Sequence, residues 1–255
     1  KNKCWVVKIG SALLTNNGKG IDKDLISEWV EQIVELQSHN IDVVLVSSGS
    51  IVEGMKRLGW KDKPTDIHKL QAAAAVGQMG LVQAYEYLFA KHKVQTAQVL
   101  LTQDNLINTK HFENISATLE NLLEFGAVPV INENDTVATE EIKFGDNDTL
   151  AALVANLLNA ERLIILTDQH GVFDDDPRVN KNASLIKEIH FDDEKLERVA
   201  GKTGGILGSG GMYSKVMAAK QAAKSKTFSN IAWGREAGVL TRIYQGENIG
   251  TLIHC

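Results

Sequence analysis

Residues 163–171 read LIILTDQHG: four apolar residues, then a threonine, an aspartate and a turn ending in glycine. A short apolar run without polar alternation, closed by turn residues, marks a strand buried on both faces, as in a parallel sheet. The same arrangement recurs at CWVVKIGS (4–11), VVLVSSGS (43–50) and VPVINEND (128–135). Strand candidates are therefore Cys4–Ile9, Val43–Val46, Gln98–Leu101, Val128–Ile131, Leu163–Leu166 and Thr227–Ala232. Helix-length segments separate them, at Lys23–Gln37, Ile67–Lys91, Lys110–Glu124, Leu150–Leu158 and Met212–Lys224. This alternation predicts an α/β fold with a mainly parallel central sheet covered by helices on both faces. TVATEEIKFG (136–145) lacks a helical pattern and predicts a small hairpin standing apart from that sheet.

The 255 residues suffice for a sizeable core, and 44% hydrophobic with 23% charged residues is ordinary for a globular protein. A net charge of −5 argues against a dedicated nucleic-acid binder. Two cysteines, Cys4 and Cys255, make neither a disulfide framework nor, without a Cys/His cluster at ligand spacing, a zinc site. The start, KNKCWVVKIG, has no secretory h-region, and runs such as VVLV and LIIL are far too short to span a bilayer. A reducing cytoplasm is the expected location.

Ligands of open α/β sheets bind outside the carboxyl ends of the strands. Here those ends carry Lys8 and Ser11; Ser47, Ser48 and Gly49; Asn132, Glu133, Asn134 and Asp135; and Thr167 and Asp168. Four polar ends on one rim predict a polar site. TGGILGSGGMYSKVMAAKQAAK (203–224) adds five glycines running into an Ala-rich helix that contains Lys215. Such a loop brings backbone amides and a positive helix end to an anion, although it is not a P-loop; its plainer reading is a glycine linker. Phosphoryl transfer needs cations around the transferred group, and Lys8 and Lys215 are the candidates, with Asp168 expected to hold both in place. GVFDDDPR (171–178) reads as a turn closed by Pro177, so no protein metal ligand is assigned. Trp5, Trp29, Trp60 and Trp233 read as packing residues.

The stretches VVKIGSALLT (6–15), VVLVSSGSI (43–51), PVINENDTVATEEIKFGDNDTLAALVA (129–155), LIILTDQHGVFDDDPR (163–178) and GSGGMYSK (208–215) resemble the amino acid kinase family. The resemblance covers the chain from Lys3 to about His254 and is closest to the glutamate-phosphorylating branch. It implies an αβα sandwich with a glutamate lobe (about 1–160) and an ATP lobe (about 161–255). It further implies L-glutamate, ATP and Mg2+ as reactants, glutamyl 5-phosphate as product, and a place at the first step of proline biosynthesis. Lys8, Lys215 and Asp168 take the catalytic roles, and Thr167, Ser209, Gly210, Gly211, Met212, Tyr213 and Ser214 join them at ATP. Glutamate contacts fall to Ser48, Gly49, Asn132, Asp135, Asp146, Asn147 and Asp148. Asn147 is expected to donate to a substrate carboxylate, and Asp146 and Asp148 to hold the ammonium or shape the loop. One helix cap is worth about 1 kcal/mol and needs one residue, so three polar residues in a row exceed capping. L-Proline as feedback inhibitor and a homo-oligomer, dimer or tetramer, are also implied, with Ile67–Lys91 as a candidate interface whose Leu81, Val82, Tyr85 and Leu88 read better as core. Many relatives carry a further C-terminal PUA domain; this sequence stops at Cys255, as expected of a short or truncated form. Ser50 stands where Ala is expected, a tolerable change if only its amide matters.

Overall fold

The computed structural model describes residues 2–138, 147–202 and 211–255. Its elements run β1 (Lys3–Ile9), α1 (Ser11–Leu14), α2 (Lys23–Ser38), β2 (Ile41–Ser47), α3 (Ser50–Arg57), α4 (Ile67–Ala90), β3 (Thr96–Leu101), α5 (Gln103–Ile107) and α6 (Thr109–Glu124). There follow β4 (Val128–Glu133), α7 (Asp148–Leu158), β5 (Arg162–Thr167), β6 (Glu188–His190), α8 (Glu194–Lys202), α9 (Met212–Ala223), β7 (Phe228–Trp233), α10 (Val239–Tyr244) and β8 (Thr251–His254). The strands form one sheet in the order β3-β4-β2-β1-β5-β7-β8-β6. Every pairing is parallel except β7 with β8.

Strand alternation splits the core into two layers. Trp5, Val7 and Ile9 of β1 join Trp29 and Ile33 of α2 on one face. Val6 joins Ala151, Ala155 and Val216 of α7 and α9 on the other. Lys8, two residues after Val6, continues the second face at the carboxyl end of β1. Strand order reverses between β1, which leads left to β2, and β5 on its right. A crevice opens at such a switch point, with Lys8 on one side and Thr167 on the other.

α3 and α4 cross in backbone contact, which fixes the α3 N-terminus over the end of β2. A Cβ on Gly77 would fall on the Ser50 carbonyl, and one on Gly54 on the Ala73 carbonyl. Overpacking of this kind costs about 1–3 kcal/mol, more when backbone must move. Gly77→Ala is therefore expected to lower the midpoint of urea unfolding and weaken activity together; an unchanged midpoint would show that α3 is not held this way.

The six expected strands and five expected helices are all present, with ends shifted by up to two residues. The short elements β6, β8, α1, α3, α5, α8 and α10 were not foreseen. From residue 139 on, the expected hairpin lies outside the described residues. In α4, Leu81, Tyr85 and Leu88 are core, while Val76, Met79 and Tyr87 face outward. Among the described residues no helix is long and apolar enough to cross a membrane.

Candidate active site

Lys8 leaves β1 and Lys215 lies in the second turn of α9, and both point at one carboxylate. Asp148, the first residue of α7 and fully buried, places Oδ1 2.6 Å from Lys8 Nζ and Oδ2 3.1 Å from Lys215 Nζ. Ser214 Oγ donates to the same Oδ2 at 2.9 Å. Position at a helix N-terminus adds the favourable end of the dipole. Among the described residues two cations meet one anion here, and each ammonium has three donors. Both lysines line the adjoining cavity, where their ammonium groups can meet an anion.

This corrects one expectation. The carboxylate that holds the lysines is Asp148, not Asp168. Alternation explains why: Ile165 and Thr167 share the face of Lys8, while Asp168 lies just past the strand end, exposed, and accepts from Thr167 Oγ1 at 3.1 Å. Asp148, expected at glutamate, is fully buried against the lysines and is not among the residues that line the cavity.

That cavity, of about 520 Å³, collects Lys8, Ser48, Gly49, Asn132, Asp135, Asn147, Thr167, Asp168 and Lys215. They stand at the ends of β4, β2, β1 and β5, which are consecutive in the sheet, and at the starts of α7 and α9. Asp146, Ser209 and Gly210 lie outside the described residues. Gly211 caps α9, Met212 packs in the core and Tyr213 against it. Ser214 spends its hydroxyl on Asp148 and on the Gly211 carbonyl.

Asn147 occupies the N-cap of α7, yet its side chain caps nothing. Both its amide hydrogens are committed, to the Ser47 carbonyl and to Asn132 Oδ1, each at 2.7 Å. The carbonyl partner fixes the amide orientation. Asn147 therefore presents only an acceptor to a ligand, which suits an ammonium rather than the carboxylate expected from sequence. Asn132 is held in the same chain, donating to Gln78 Oε1 and accepting from the Glu133 amide.

The other end of the cavity is built by α3. Gly49 takes a left-handed conformation (φ 95°), which turns the chain from β2 into the helix. The first-turn amides of Ser50, Ile51 and Val52 have no intrahelical partner, and all three residues line the cavity. Ser48 Oγ is buried there without a hydrogen-bond partner among the described residues. Asp135 faces these donors. Burial pushes its carboxyl up to about 6, and a 3.0 Å hydrogen bond from Ser50 Oγ pulls against that rise. The Ser50 hydroxyl thus has work of its own, which sequence reading had left to the backbone. Sequence reading also missed Lys63, Asn17 and Gly18 as lining residues.

The chain matches the model of the amino acid kinase family over residues 3–230. It is 58% identical to a glutamate 5-kinase of Hydrogenovibrio crunogenus over 99% of this chain and 67% of that protein. Against the glutamate 5-kinase of Alcanivorax borkumensis the figures are 58%, 98% and 66%. Against that of Pseudomonas syringae pv. tomato they are 57%, 98% and 67%, so the chain spans about two thirds of these curated relatives. Among solved structures, UMP kinase from Bacillus anthracis superposes with a TM-score of 0.68 at 16% identity, covering 99% of this chain and 96% of that one. UMP kinase from Ureaplasma parvum gives 0.66 at 20%, covering both chains fully. At those identities the likeness speaks for the fold, which is the same sheet with helices on both sides. With a paired-lysine crevice at the switch point, a family model across most of its length and relatives above half identity, the chain belongs to the amino acid kinase family, in its glutamate 5-kinase group.

Proposed function

We propose that the protein transfers the γ-phosphoryl group of ATP to the γ-carboxylate of L-glutamate, giving L-glutamyl 5-phosphate for proline synthesis in the cytoplasm. The observation that carries this is the buried Lys8–Asp148–Lys215 unit at the head of a cavity large enough for a small acid. A carboxylate is ionised at neutral pH, so the nucleophile needs no general base. One carboxylate oxygen bonds to the γ-phosphorus as the bond to the β,γ-bridging oxygen breaks, and ADP leaves with that electron pair. Lys8 and Lys215, preorganised by Asp148, stabilise the charge spread over the phosphoryl oxygens. The lobe before about residue 160 binds glutamate, and the lobe after it binds the nucleotide through Thr167 and the amides opening α9.

Among the described residues no group of three or more His, Cys, Asp or Glu could cage a metal ion. Mg2+ is held mainly by phosphate oxygens and waters with one or two carboxylates. Asp168, a lining carboxylate exposed on the rim beside Thr167, would supply one ligand. Bound there, the ion would neutralise phosphate charge. At the substrate end, Asp135 and the Asn147 carbonyl suit the ammonium. L-Proline shares the α-carboxylate and a cationic nitrogen, so inhibition should be competitive with glutamate. The outward Val76, Met79 and Tyr87 of α4 (36, 58 and 60% exposed) support self-association. ADP release should depend on glutamate and be far weaker with N-acetylglutamate or aspartate; turnover only with one of the latter would overturn the substrate assignment.

Asp135 yields a pH prediction. Its folded value, about 6, lies above its ordinary 3.8, so the free enzyme loses its ammonium partner as pH falls through about 6. The KM for glutamate should rise there. Ser50→Ala, which removes a hydrogen bond favouring the charged form, should move that inflection to higher pH. A raised carboxylate binds more protons folded than unfolded between the two values, so stability drops as pH rises through that window. Asp135→Asn should therefore stabilise the ligand-free protein at pH 7 by on the order of 1–3 kcal/mol while weakening glutamate binding. Loss of both stability and binding would contradict the assignment.

A further inference from the structure

Among the described residues, the charges lining the cavity do not balance the two ends of glutamate unless one more residue takes part. The substrate carries two carboxylates and one ammonium. Its γ-carboxylate belongs with the phosphoryl group at Lys8 and Lys215, both already gathered on Asp148. Its ammonium belongs with Asp135. Among the described residues the α-carboxylate is then left with neutral donors: the first-turn amides of α3 and the Ser48 hydroxyl, which has no partner there. An anion drawn out of water needs a countercharge as well as hydrogen bonds. Among the described residues the remaining cation in the lining is Lys63, in the loop between α3 and α4. It is exposed and has no acidic partner among the described residues. Its flexible stem and three donors let it follow a ligand at the mouth of a pocket.

We infer that Lys63 closes over the α-carboxylate of the substrate and makes the enzyme select an α-amino acid with that group free. This rests on the glutamate-kinase reading, and goes beyond it by assigning a specificity residue outside the phosphoryl-transfer machinery. Lys63 belongs to the α3–α4 loop and not to the Lys8–Asp148–Lys215 unit, so its removal should act on KM and leave kcat alone.

The test compares L-glutamate with its α-amide, isoglutamine, which keeps the γ-carboxylate and ammonium but carries no α charge. With ATP saturating, Lys63→Met should raise the glutamate KM by about five- to tenfold, as for loss of one charge-assisted contact. It should leave kcat within about twofold and the isoglutamine KM unchanged, and Lys63→Arg should restore most of the glutamate KM. An unchanged glutamate KM, an equal rise for both acids, or a rise in ATP KM instead would overturn the assignment of Lys63 alone. Absence of glutamate-dependent ADP release from the unsubstituted enzyme would overturn the glutamate-kinase reading and this inference with it.

Discussion

Asp148→Asn should lower kcat by at least about 100-fold while moving the glutamate KM by less than about fivefold. The carboxylate is fully buried, holds Lys8 at 2.6 Å and Lys215 at 3.1 Å, and does not line the cavity. Asparagine keeps the shape and removes the charge, so two buried ammonium groups lose their common counter-ion. Removing one member of a buried ionic unit costs about 3–5 kcal/mol, and part of that loss should appear as a lower unfolding midpoint. Catalysis falls for a second reason: lysines no longer held in one place must reorganise as charge develops. The KM arm is the discriminating one. If Asp148 bound the substrate ammonium, as its place beside Asn147 first implied, the glutamate KM would climb with little change in kcat. That outcome would restore the sequence expectation and dismantle the site described above.

Lys215→Ala should depress kcat further, by about 1,000-fold, with a modest change in glutamate KM. An interaction made mainly in the transition state behaves in this way. Asp148 would keep Lys8 and the Ser214 hydroxyl as partners, so the loss of stability should be smaller than in Asp148→Asn. The two variants therefore rank in opposite orders, Lys215→Ala worse in turnover and Asp148→Asn worse in unfolding. A near-normal kcat for Lys215→Ala would remove it from the mechanism, and an identical ranking in both assays would mean that the two residues act only through folding.

The sheet was legible because its central strands are apolar runs ending in polar residues, and a strand buried on both faces leaves that pattern in the sequence. The rim of the site was legible for the same reason: Lys8, Ser48, Asn132 and Thr167 follow those runs and meet in one cavity. What escaped were elements too short for a period, such as β6 with three residues and β8 with four. The eight-residue α3 escaped too, although Gly49 followed by Ile51, Val52 and Met55 hints at a turn into a helix.

Asp148 was misread although a signal was present. Read on from it, Ala151, Ala152, Ala155 and Leu158 form the buried stripe of α7, and a residue three or four places before such a stripe shares its face. An aspartate there must point inward and find buried cations, whereas an aspartate one step past β5 is free to face water. Asn147 could not have been resolved from sequence, because its donors are consumed by Ser47 and Asn132, brought to it only by the neighbouring strands.

If the γ-carboxylate of glutamate becomes an acyl phosphate on the Lys8–Asp148–Lys215 unit, that product can be intercepted. Hydroxylamine is the reagent for this, since an acyl phosphate yields a hydroxamate and free glutamate does not. The expected result is γ-glutamyl hydroxamate formed only with ATP and glutamate together, in step with ADP release, and largely abolished by Lys215→Ala. ADP release without hydroxamate, or hydroxamate formed at the same rate by Lys215→Ala, would contradict it.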